Sequence, residues 1–257
     1  MDKNLKAQKK ETIVTYGDAK EKGRRGQLLE LLRNCPIPDE EMPLNLGLFL
    51  TPQTLSRVLF MDFLYRQILD LQGVVMEFGC RWGQNLSLFS SMRGIYEPFN
   101  RLRKVIGLDT FEGLPSVLAE DGQELSAGMY SVTSGYEQYL NQLLEIQEQE
   151  SPMAHLRKFE LIKGDASTSL IEYLEKNPET VVALAYFDMD LYKPTYDCLK
   201  ILKEHLTIGS VIGFDELNDH LCPGETRAVK EVFGLNNYSL RRFPYNSRTS
   251  YMIFDHP

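Results

Sequence analysis

The sequence lacks the long apolar runs and the cysteine pairs by which several classes of protein are recognised. No stretch approaches the roughly 20 apolar residues that a membrane-spanning helix needs, and no apolar run of secretory type stands near the N-terminus. The 4 cysteines are scattered along 257 residues, with no CxxC pair and no short-range cluster of cysteine and histidine. This pattern argues against a structural zinc site and a disulfide framework. We therefore expect a cytoplasmic protein that does not bind membranes.

Positive charge is also scarce over most of the chain. The formal net charge is −8, which counts against binding to DNA or RNA, because nucleic acids require a concentrated basic surface. The first 25 residues are the exception, with 8 Lys or Arg against 4 acids. We interpret them as a solvated, partly mobile arm, with binding of an anionic partner as the alternative.

What is present is typical of one globular α/β domain with insertions. Hydrophobic residues make up 43% and charged residues 25% of the chain, which allows a sizeable core. We expect an N-terminal extension over residues 1–50, partly mobile or helical, and a main domain over residues 51–257. Thr51 is a suitable helix cap before Pro52, and apolar residues recur at helical spacing from there until Gly73.

After Gly73, short apolar runs alternate with amphipathic helical stretches. Such alternation predicts a doubly wound, mostly parallel sheet. The last two runs, Tyr238–Arg242 and Thr249–Phe254, predict an antiparallel C-terminal hairpin and bring the α/β sheet to seven strands. The other runs are Val74–Phe78, Lys104–Leu108, Phe159–Ile162, Val181–Phe187 and Ser210–Phe214, with helices expected over Gln84–Met92, Ser167–Lys176 and Thr195–His205.

One connection is too long for a simple crossover. About fifty residues separate the strands near 108 and 159, and they include the acidic helical stretch Tyr136–Glu150. Connections of this length usually form a lid or a partner-binding surface. The alternative is an insertion that only stabilises the fold. We expect residues 112–158 to form a lid-like insertion that, with the N-terminal helices, shapes a binding pocket.

A glycine turn follows the first strand of the sheet. Gly79 and Gly83 come two and six residues after Glu77, and glycines at such a turn allow a tight bend and a close approach by a ligand. The N-terminus of the next helix favours a carboxylate or a phosphate. Arg81 stands where a dinucleotide fingerprint has its second glycine, and it would hinder a pyrophosphate. A zwitterionic amino-acid tail fits better, with Glu77 near its ammonium group; a plain turn is the alternative.

Two further acids are predicted beside this turn, at the carboxyl ends of neighbouring strands. Asp109 ends the second strand, where an acid can accept hydrogen bonds from ribose hydroxyls. Asp165, followed by Ala166, closes the third strand and could accept a hydrogen bond from an adenine amine. A capping or turn role is the alternative for each aspartate.

A second group of carboxylates follows the fourth and fifth strands. Asp188 and Asp190 come after one apolar run, and Asp215 and Glu216 come after the next. Their mutual repulsion would raise their pKa values, and a hard divalent cation such as Mg²⁺ relieves it through oxygen ligands. Some of these acids could instead cap helices, Asp190 first among them. A carboxylate such as Asp188, or the nearby His220, could take a proton from a substrate hydroxyl bound to the metal.

Three of these segments resemble the macrocin O-methyltransferase family of class I S-adenosylmethionine-dependent methyltransferases, which act on sugar hydroxyls of natural products. Glu77–Gly83 is similar to the family's E-x-G-x-x-x-G cofactor loop, and Asp109–Pro115 is similar to its D-[ST]-F-x-G-L-P segment. Asp188–Thr195 looks like its D-x-D-x-Y-x-x-T motif. The likeness runs from about residue 55 to the C-terminus.

The resemblance implies S-adenosylmethionine as the cofactor, a class I sheet with a reversed terminal strand, and a homodimer. It also implies Mg²⁺ bound by Asp188, Asp215 and Glu216, although the family more often has a second aspartate at the last of these positions. Lys193-Pro194 likewise departs from the family's usual pair, on the substrate side. Taken together, the strand-end positions and the resemblance give the following expected cofactor residues: Glu77, Gly79, Gly83, Asp109, Thr110, Phe111, Asp165, Ala166 and Asp188.

We interpret the chain as a methyltransferase that acts on a hydroxyl of a sugar or of a sugar-bearing small molecule. A metal-independent methyltransferase keeps the cofactor and drops the cation. An oxidoreductase or epimerase with a nucleotide cofactor is a further alternative, but the full glycine fingerprint is missing. A non-catalytic binding protein on the same fold is hard to reconcile with carboxylates at 188, 215 and 216.

Overall fold

A computed structural model describes residues 19–255 of the chain. Most of the basic N-terminal arm, with its predicted role, lies outside the described residues. The chain divides into two compact units, Met1–Arg57 and Val58–Pro257. In residues 19–255 no helix combines the length and the apolar character that crossing a membrane requires.

The first unit is helical in its described part. α1 (Ala19–Arg33) and a 3₁₀ helix (Met42–Phe49) precede the start of α2 (Pro52–Arg66), which continues into the second unit. The Thr51 hydroxyl accepts a hydrogen bond from the backbone N–H of Thr54 (Oγ1–N 3.2 Å), and proline occupies the first helical position. The predicted start of this helix is confirmed.

Seven strands form one sheet in the second unit, namely β1 (Val74–Phe78), β2 (Val105–Asp109), β3 (Phe159–Lys163), β4 (Val182–Phe187), β5 (Leu206–Phe214), β6 (Arg241–Arg242) and β7 (Ser250–Ile253). Their order is β3-β2-β1-β4-β5-β7-β6. β1 to β5 run parallel, while β7 runs antiparallel to both β5 and β6. Every residue of β1 and β4 is buried, as unbroken apolar runs predict for strands covered on both faces. The predicted mostly parallel sheet with a C-terminal hairpin is confirmed.

Five further helices follow, namely α3 (Gln84–Tyr96), α4 (Tyr136–Gln149), α5 (Ala166–Lys176), α6 (Tyr192–Leu202) and α7 (Gly224–Val232). One apolar core joins one face of the sheet to α5, α6 and α7. A second core joins the other face to α3, α4 and residues 58–66 of α2. This is the doubly wound arrangement that the sequence predicts, and it leaves the carboxyl ends of the parallel strands at one edge.

The end of α2 differs from expectation. Apolar spacing predicts a helix up to Gly73, but α2 ends at Arg66. The buried guanidinium of Arg103 donates hydrogen bonds to the carbonyl oxygens of Ile68 (2.9 Å), Leu71 (2.7 Å) and Gly73 (2.5 Å). The carbonyls of residues 68, 71 and 73 therefore bond to a side chain far away in the sequence. Apolar spacing within the segment does not reveal such a contact.

Other boundaries differ because their residues carry little apolar pattern. α6 begins at Tyr192 rather than Thr195, and β5 begins at Leu206 rather than Ser210. The added residues of β5 are half-buried or exposed, so they add nothing to the apolar run. β6 keeps two of its five predicted residues. α7 has no counterpart among the predicted helices, since its nine residues include only three apolar side chains, Ala228, Val229 and Val232.

A buried ion network fastens the long insertion beside α3. Glu148, near the end of α4, accepts a hydrogen bond from Arg93 (Nη2–Oε1 2.7 Å) and pairs with Lys158 (Nζ–Oε1 2.5 Å). Arg93 also donates to the Lys158 carbonyl at 2.8 Å. All three side chains are more than nine-tenths buried. One carboxylate thus pairs with two cations with almost no access to water, and it holds the end of the insertion against the helix layer.

We expect Glu148→Gln to lower the free energy of unfolding by about 3–5 kcal/mol, because two buried cations lose their counter-charge. Urea titration measures the loss. The control is Glu150→Gln, an exposed glutamate one residue beyond α4, for which we expect a change within about 0.5 kcal/mol. Equal stability of the two variants would contradict the buried network.

Candidate active site

The carboxyl ends of the parallel strands lie along one edge of the sheet, and the strand order reverses between β1 and β4. Loops leave this point toward opposite faces, so a crevice opens there, which is the usual ligand position in open α/β sheets. Glu77 lies in β1 and Asp109 ends β2, while Asp188 and Asp215 directly follow β4 and β5. The structure confirms that these acids stand on neighbouring strands.

The glycine turn after β1 packs against the end of β4. Gly79 has a φ of +87°, and a Cβ at this position would overlap the backbone carbonyl oxygen of Asp188. Gly83, the N-cap of α3, has a φ of +73°, and a Cβ there would come 2.5 Å from the Leu140 side chain of α4. Both positions therefore need glycine for their backbone conformation and for close packing, before any ligand is considered.

Glu77 brings a buried carboxylate beside this turn. Its Oε1 accepts a hydrogen bond from the Asn85 side-chain amide (2.9 Å) in the first turn of α3. The N-cap Gly83 has no side chain with which to cap this helix, and N–H groups at a helix N-terminus carry partial positive charge. A buried carboxylate next to such a helix end fits the ammonium and the carboxylate of an amino-acid tail.

Asp109 ties the glycine turn to the loop after β2. Its carboxylate accepts hydrogen bonds from the backbone N–H of Arg81 (Oδ2–N 2.7 Å) and of Phe111 (Oδ1–N 2.5 Å). Burial raises the pKa of Asp109 even though these bonds lower it. Arg81 and Phe111 have φ values of +48° and +56°, so this carboxylate holds two strained loops together. Each oxygen can accept a further bond, and the ribose contact stays a prediction.

The other residues that follow β2 and β3 lie in tight local structure. Thr110 and Phe111 belong to the turn after β2, in which the Phe111 side chain is buried. Asp165 caps α5, since its Oδ1 accepts the backbone N–H of Thr168 at 3.0 Å, and Ala166 is the first residue of that helix. The capping alternative for Asp165 is confirmed, while contacts of these residues with a cofactor stay predictions.

The acids that follow β4 and β5 continue the hydrogen-bonding ladder of the sheet. The Asp188 N–H donates to the Phe78 carbonyl at 2.8 Å, and the Asp215 N–H donates to the Phe187 carbonyl at 3.1 Å. The Tyr186 hydroxyl donates to Asp215 Oδ1 at 3.0 Å. The backbones of both acids are therefore fixed relative to β1 and its glycine turn.

Asp190, Glu216 and Cys222 each bring one potential ligand atom to within 4.8 Å of the others, the one such triple in residues 19–255. The capping alternative for Asp190 is wrong, because the N-cap residue of α6 is Leu191 and Asp190 has a φ of +61°. Cys222 carries no sequence signal, since it stands alone in a loop. The other two members of the predicted metal set lie outside this triple, and their metal-binding role stays a prediction.

Arg248 supplies positive charge to the acids that follow β4 and β5. Its guanidinium pairs with Glu216, and its Nε lies 3.5 Å from Asp219 Oδ2. It belongs to the segment between β6 and β7, in which it is the one basic residue. Sequence reasoning missed it, because the pairing depends on the C-terminal hairpin folding back beside β5.

Glu216 and Glu225 hold their protons more tightly than free carboxyls. Burial raises the pKa of Glu216, and a hydrogen bond with Asp190 raises it further. Burial also raises the pKa of Glu225 in α7, with Asp188 and Asp190 adding to the rise. Within the described part of the chain, Glu225 Oε2 has no hydrogen-bond partner. An oxygen-rich group that is short of positive charge fits a hard divalent cation.

His220 lies at the surface of the loop after β5. Its side chain is 80% exposed, and its Nδ1 is 3.9 Å from Asp219 Oδ1. A base in this position could act only on an acceptor that reaches out to the loop. The catalytic role of His220 stays a prediction.

Two solved structures of CalS11 match the chain over nearly its whole length. In the one described as the calicheamicin methyltransferase, the sequences are 40% identical, the match covers 94% of this chain and 95% of that one, and the TM-score is 0.91. The apo structure, described as a TDP-rhamnose 3′-O-methyltransferase of calicheamicin biosynthesis, is 39% identical, with 94% and 97% covered and a TM-score of 0.84. The O-methyltransferase NovP, 17% identical over 78% of this chain and 80% of its own, shares the fold with a TM-score of 0.58. Neither protein-family sequence models nor curated protein sequences match the chain.

We expect Gly79→Ala to destabilise the protein far more than Gly128→Ala, although both glycines have a left-handed φ, of +87° and +81°. The backbone penalty that they share is about 1–2 kcal/mol. A Cβ at Gly128 meets no atom of the described residues within 4 Å, whereas one at Gly79 overlaps the Asp188 carbonyl. Urea unfolding compares the two, and similar losses would show that β1 and β4 do not meet as described.

Proposed function

The chain belongs to the same family as the calicheamicin methyltransferase CalS11 and is an S-adenosylmethionine-dependent methyltransferase, and we propose that it methylates a hydroxyl group of a sugar. The observation that carries the proposal is the 40% identity with CalS11 over 94% of the chain. One CalS11 structure is described as that of a TDP-rhamnose 3′-O-methyltransferase. We therefore favour an acceptor sugar that is attached to a nucleotide or to another small molecule, in line with the motifs that resemble the macrocin O-methyltransferase family.

S-adenosylmethionine, when bound, supplies an electrophilic methyl group on its sulfonium sulfur. Glu77 and the N-terminus of α3 would hold its amino-acid part, while Asp109 and Asp165 would face its ribose and its adenine. The support for this placement is the buried Glu77 carboxylate beside a helix start whose N-cap is a glycine. Because Gly79 packs directly on the Asp188 backbone, the cofactor end and the acidic end of the crevice are adjacent.

We assign Asp188 as the group that takes the proton from the acceptor hydroxyl. A hydroxyl oxygen becomes a competent nucleophile only as it loses its proton, so a base must lie within hydrogen-bond reach of it. Asp188 follows β4 directly, its N–H is bonded to the Phe78 carbonyl of β1, and it interacts electrostatically with the buried Glu225. His220 is the second candidate. It ranks below Asp188 because its ring is exposed, so the acceptor would have to extend toward the loop to reach it.

Mg²⁺ would be held by Asp188, Asp215 and Glu216, and it would lower the pKa of the acceptor hydroxyl. Arg248 bears on this proposal because it already pairs with Glu216. A cation at Glu216 has to share that carboxylate with the guanidinium. Arg248 therefore also supports a second candidate, a metal-independent methyltransferase in which its own charge balances the acids.

The remaining proposals concern the rest of the chain. Residues 112–158 would cover the acceptor, and two copies of the chain would form a homodimer. The support for the first is the position of α4, whose Leu140 contacts the Gly83 turn. The support for the second is the family resemblance of the sequence.

We expect Asp188→Asn to lower kcat by about 10²–10⁴-fold, because the amide cannot accept the proton, while S-adenosylhomocysteine still binds. Transfer of radiolabelled methyl to TDP-rhamnose measures the first effect and calorimetric titration the second. Asp70→Asn, at an exposed position before β1, is the matched control and should behave as wild type. Wild-type turnover by Asp188→Asn combined with inactivity of His220→Gln would transfer the role to His220. Failure of the wild type to bind S-adenosylhomocysteine would contradict the cofactor site.

We expect EDTA to abolish methyl transfer and Mg²⁺ to restore it, because the donor oxygens carry surplus negative charge. Arg248→Met should then bind Mn²⁺ more tightly than the wild type, as measured by electron paramagnetic resonance, since a competing cation has been removed. Full activity in EDTA, together with loss of activity in Arg248→Met, would instead establish the metal-independent candidate.

A further inference from the structure

Asp121 is a buried acid of the insertion that the mechanism above does not use. It ends a single 3₁₀ turn, Ala119–Asp121, and is 1% exposed. Its Oδ2 accepts the backbone N–H of Leu118 at 2.7 Å, and its Oδ1 accepts the backbone N–H of Tyr192 at 2.5 Å. One carboxylate therefore joins two segments that are 71 residues apart in the sequence.

The second of these partners is the first residue of α6. The N-cap of this helix is Leu191, whose apolar side chain makes no capping hydrogen bond. A carboxylate that accepts an N–H of the first turn satisfies a donor that the helix leaves open, and it also interacts favourably with the helix dipole. Asp121 thus supplies from the insertion the cap that α6 lacks in its own sequence.

The segment that this cap holds is the one that carries the acids of β4. α6 begins two residues after Asp190, a non-glycine residue with a φ of +61°. The Leu191 N–H donates to the Met189 carbonyl at 2.7 Å, so residues 189–191 form a strained, tight turn. A turn of this kind persists only where its surroundings hold it in place.

Two distant carboxylates provide that support. Glu225 of α7 accepts the Met189 N–H at 3.3 Å, and Asp121 accepts the Tyr192 N–H on the other side of the turn. A Cβ at Gly224 would come 2.7 Å from the Asp190 carbonyl oxygen, so the start of α7 presses on the same turn. The insertion also meets the loop before α7, where a Cβ at Gly122 would come 2.6 Å from the Leu221 carbonyl oxygen.

We propose that Asp121 is a positioning residue that couples the docking of the insertion to the geometry of the acids at Asp188–Asp190. When the insertion is seated, α6 is capped and the turn that carries the acids is held. Without this bond α6 loses its cap, and the strained turn loses one of its two carboxylate supports. The acceptor cover and the proton-accepting acids are then assembled together. This inference rests on the proposed function only in assigning chemistry to these acids.

The test separates positioning from simple stabilisation with two variants that break the same bond from opposite sides. Asp121→Asn leaves one acceptor oxygen for two N–H donors. Tyr192→Pro removes the N–H donor while keeping Asp121 in the sequence, and the proline ring displaces the Asp121 carboxylate from the start of α6. Proline is favoured at the first helical position, and the ψ of 143° at Leu191 suits a residue before proline. Tyr192→Ala, which loses the ring but keeps the N–H, is the control for the second variant. Glu124→Gln, an exposed acid of the same loop, is the control for the first.

With TDP-rhamnose and S-adenosylmethionine we expect Asp121→Asn to lower kcat by about 10²-fold, while the Kd of S-adenosylhomocysteine stays within about twofold of wild type. Tyr192→Pro should have a lower kcat than Tyr192→Ala by a similar factor. A loss of thermal stability with kcat unchanged below the melting temperature would reduce Asp121 to a structural residue and overturn the proposal.

Hydrogen–deuterium exchange provides a readout that needs no acceptor. In Asp121→Asn, peptides covering residues 112–130 and residues 186–196 should both exchange faster than in wild type, and to the same extent in Tyr192→Pro. Faster exchange in the insertion alone would overturn the coupling. A wild type that is inactive with every sugar acceptor while these exchange changes occur would count against the proposed function and leave the coupling standing.

Discussion

The close contact between the Gly79 turn and the carbonyl of Asp188 is the constraint on which the rest of the site depends. No Cβ fits at this contact, so the end of β1 and the end of β4 form one unit. Asp109 extends this unit to the loop after β2 through two backbone hydrogen bonds. The sheet itself therefore fixes the backbone of the glycine turn relative to the acids, which is the preorganisation that the proposed function requires.

Charge is handled in two different ways in this fold. At Glu148, one carboxylate is matched by two buried cations, and the result is a rigid attachment of the insertion. At the ends of β4 and β5 the balance is reversed, because Arg248 faces Glu216 and Asp219 with several further acids close by. Burial and repulsion raise pKa values there. The negative surplus that would only weaken a structural site is what makes this one able to accept a proton or a cation.

The sheet and the positions of its acids could be predicted because they follow from local pattern. Apolar runs mark parallel strands, and the carboxyl ends of parallel strands share an edge, so acids placed there must be neighbours. What the pattern could not show are contacts between residues far apart in the sequence. Arg103 ends α2 from 35 residues beyond Ile68, Arg248 reaches the acids from the C-terminal hairpin, and Asp121 caps a helix that begins 71 residues later. These long-range contacts determine where helices end and which charges meet, while the location of the site follows from the local pattern.

Buried carboxylates bond the insertion to the sheet domain near both of its ends, at Asp121 and at Glu148. Between them, Leu140 packs against the Gly83 turn and the Tyr136 hydroxyl donates to the Trp82 carbonyl, so a chimera between related enzymes has to keep these contacts as well. A graft whose junction replaced Asp121 would import a new acceptor cover and remove the cap of α6 at the same time. We expect such a chimera to be a folded protein with slow chemistry, so a junction between related enzymes has to keep Asp121 together with the α6 that it caps.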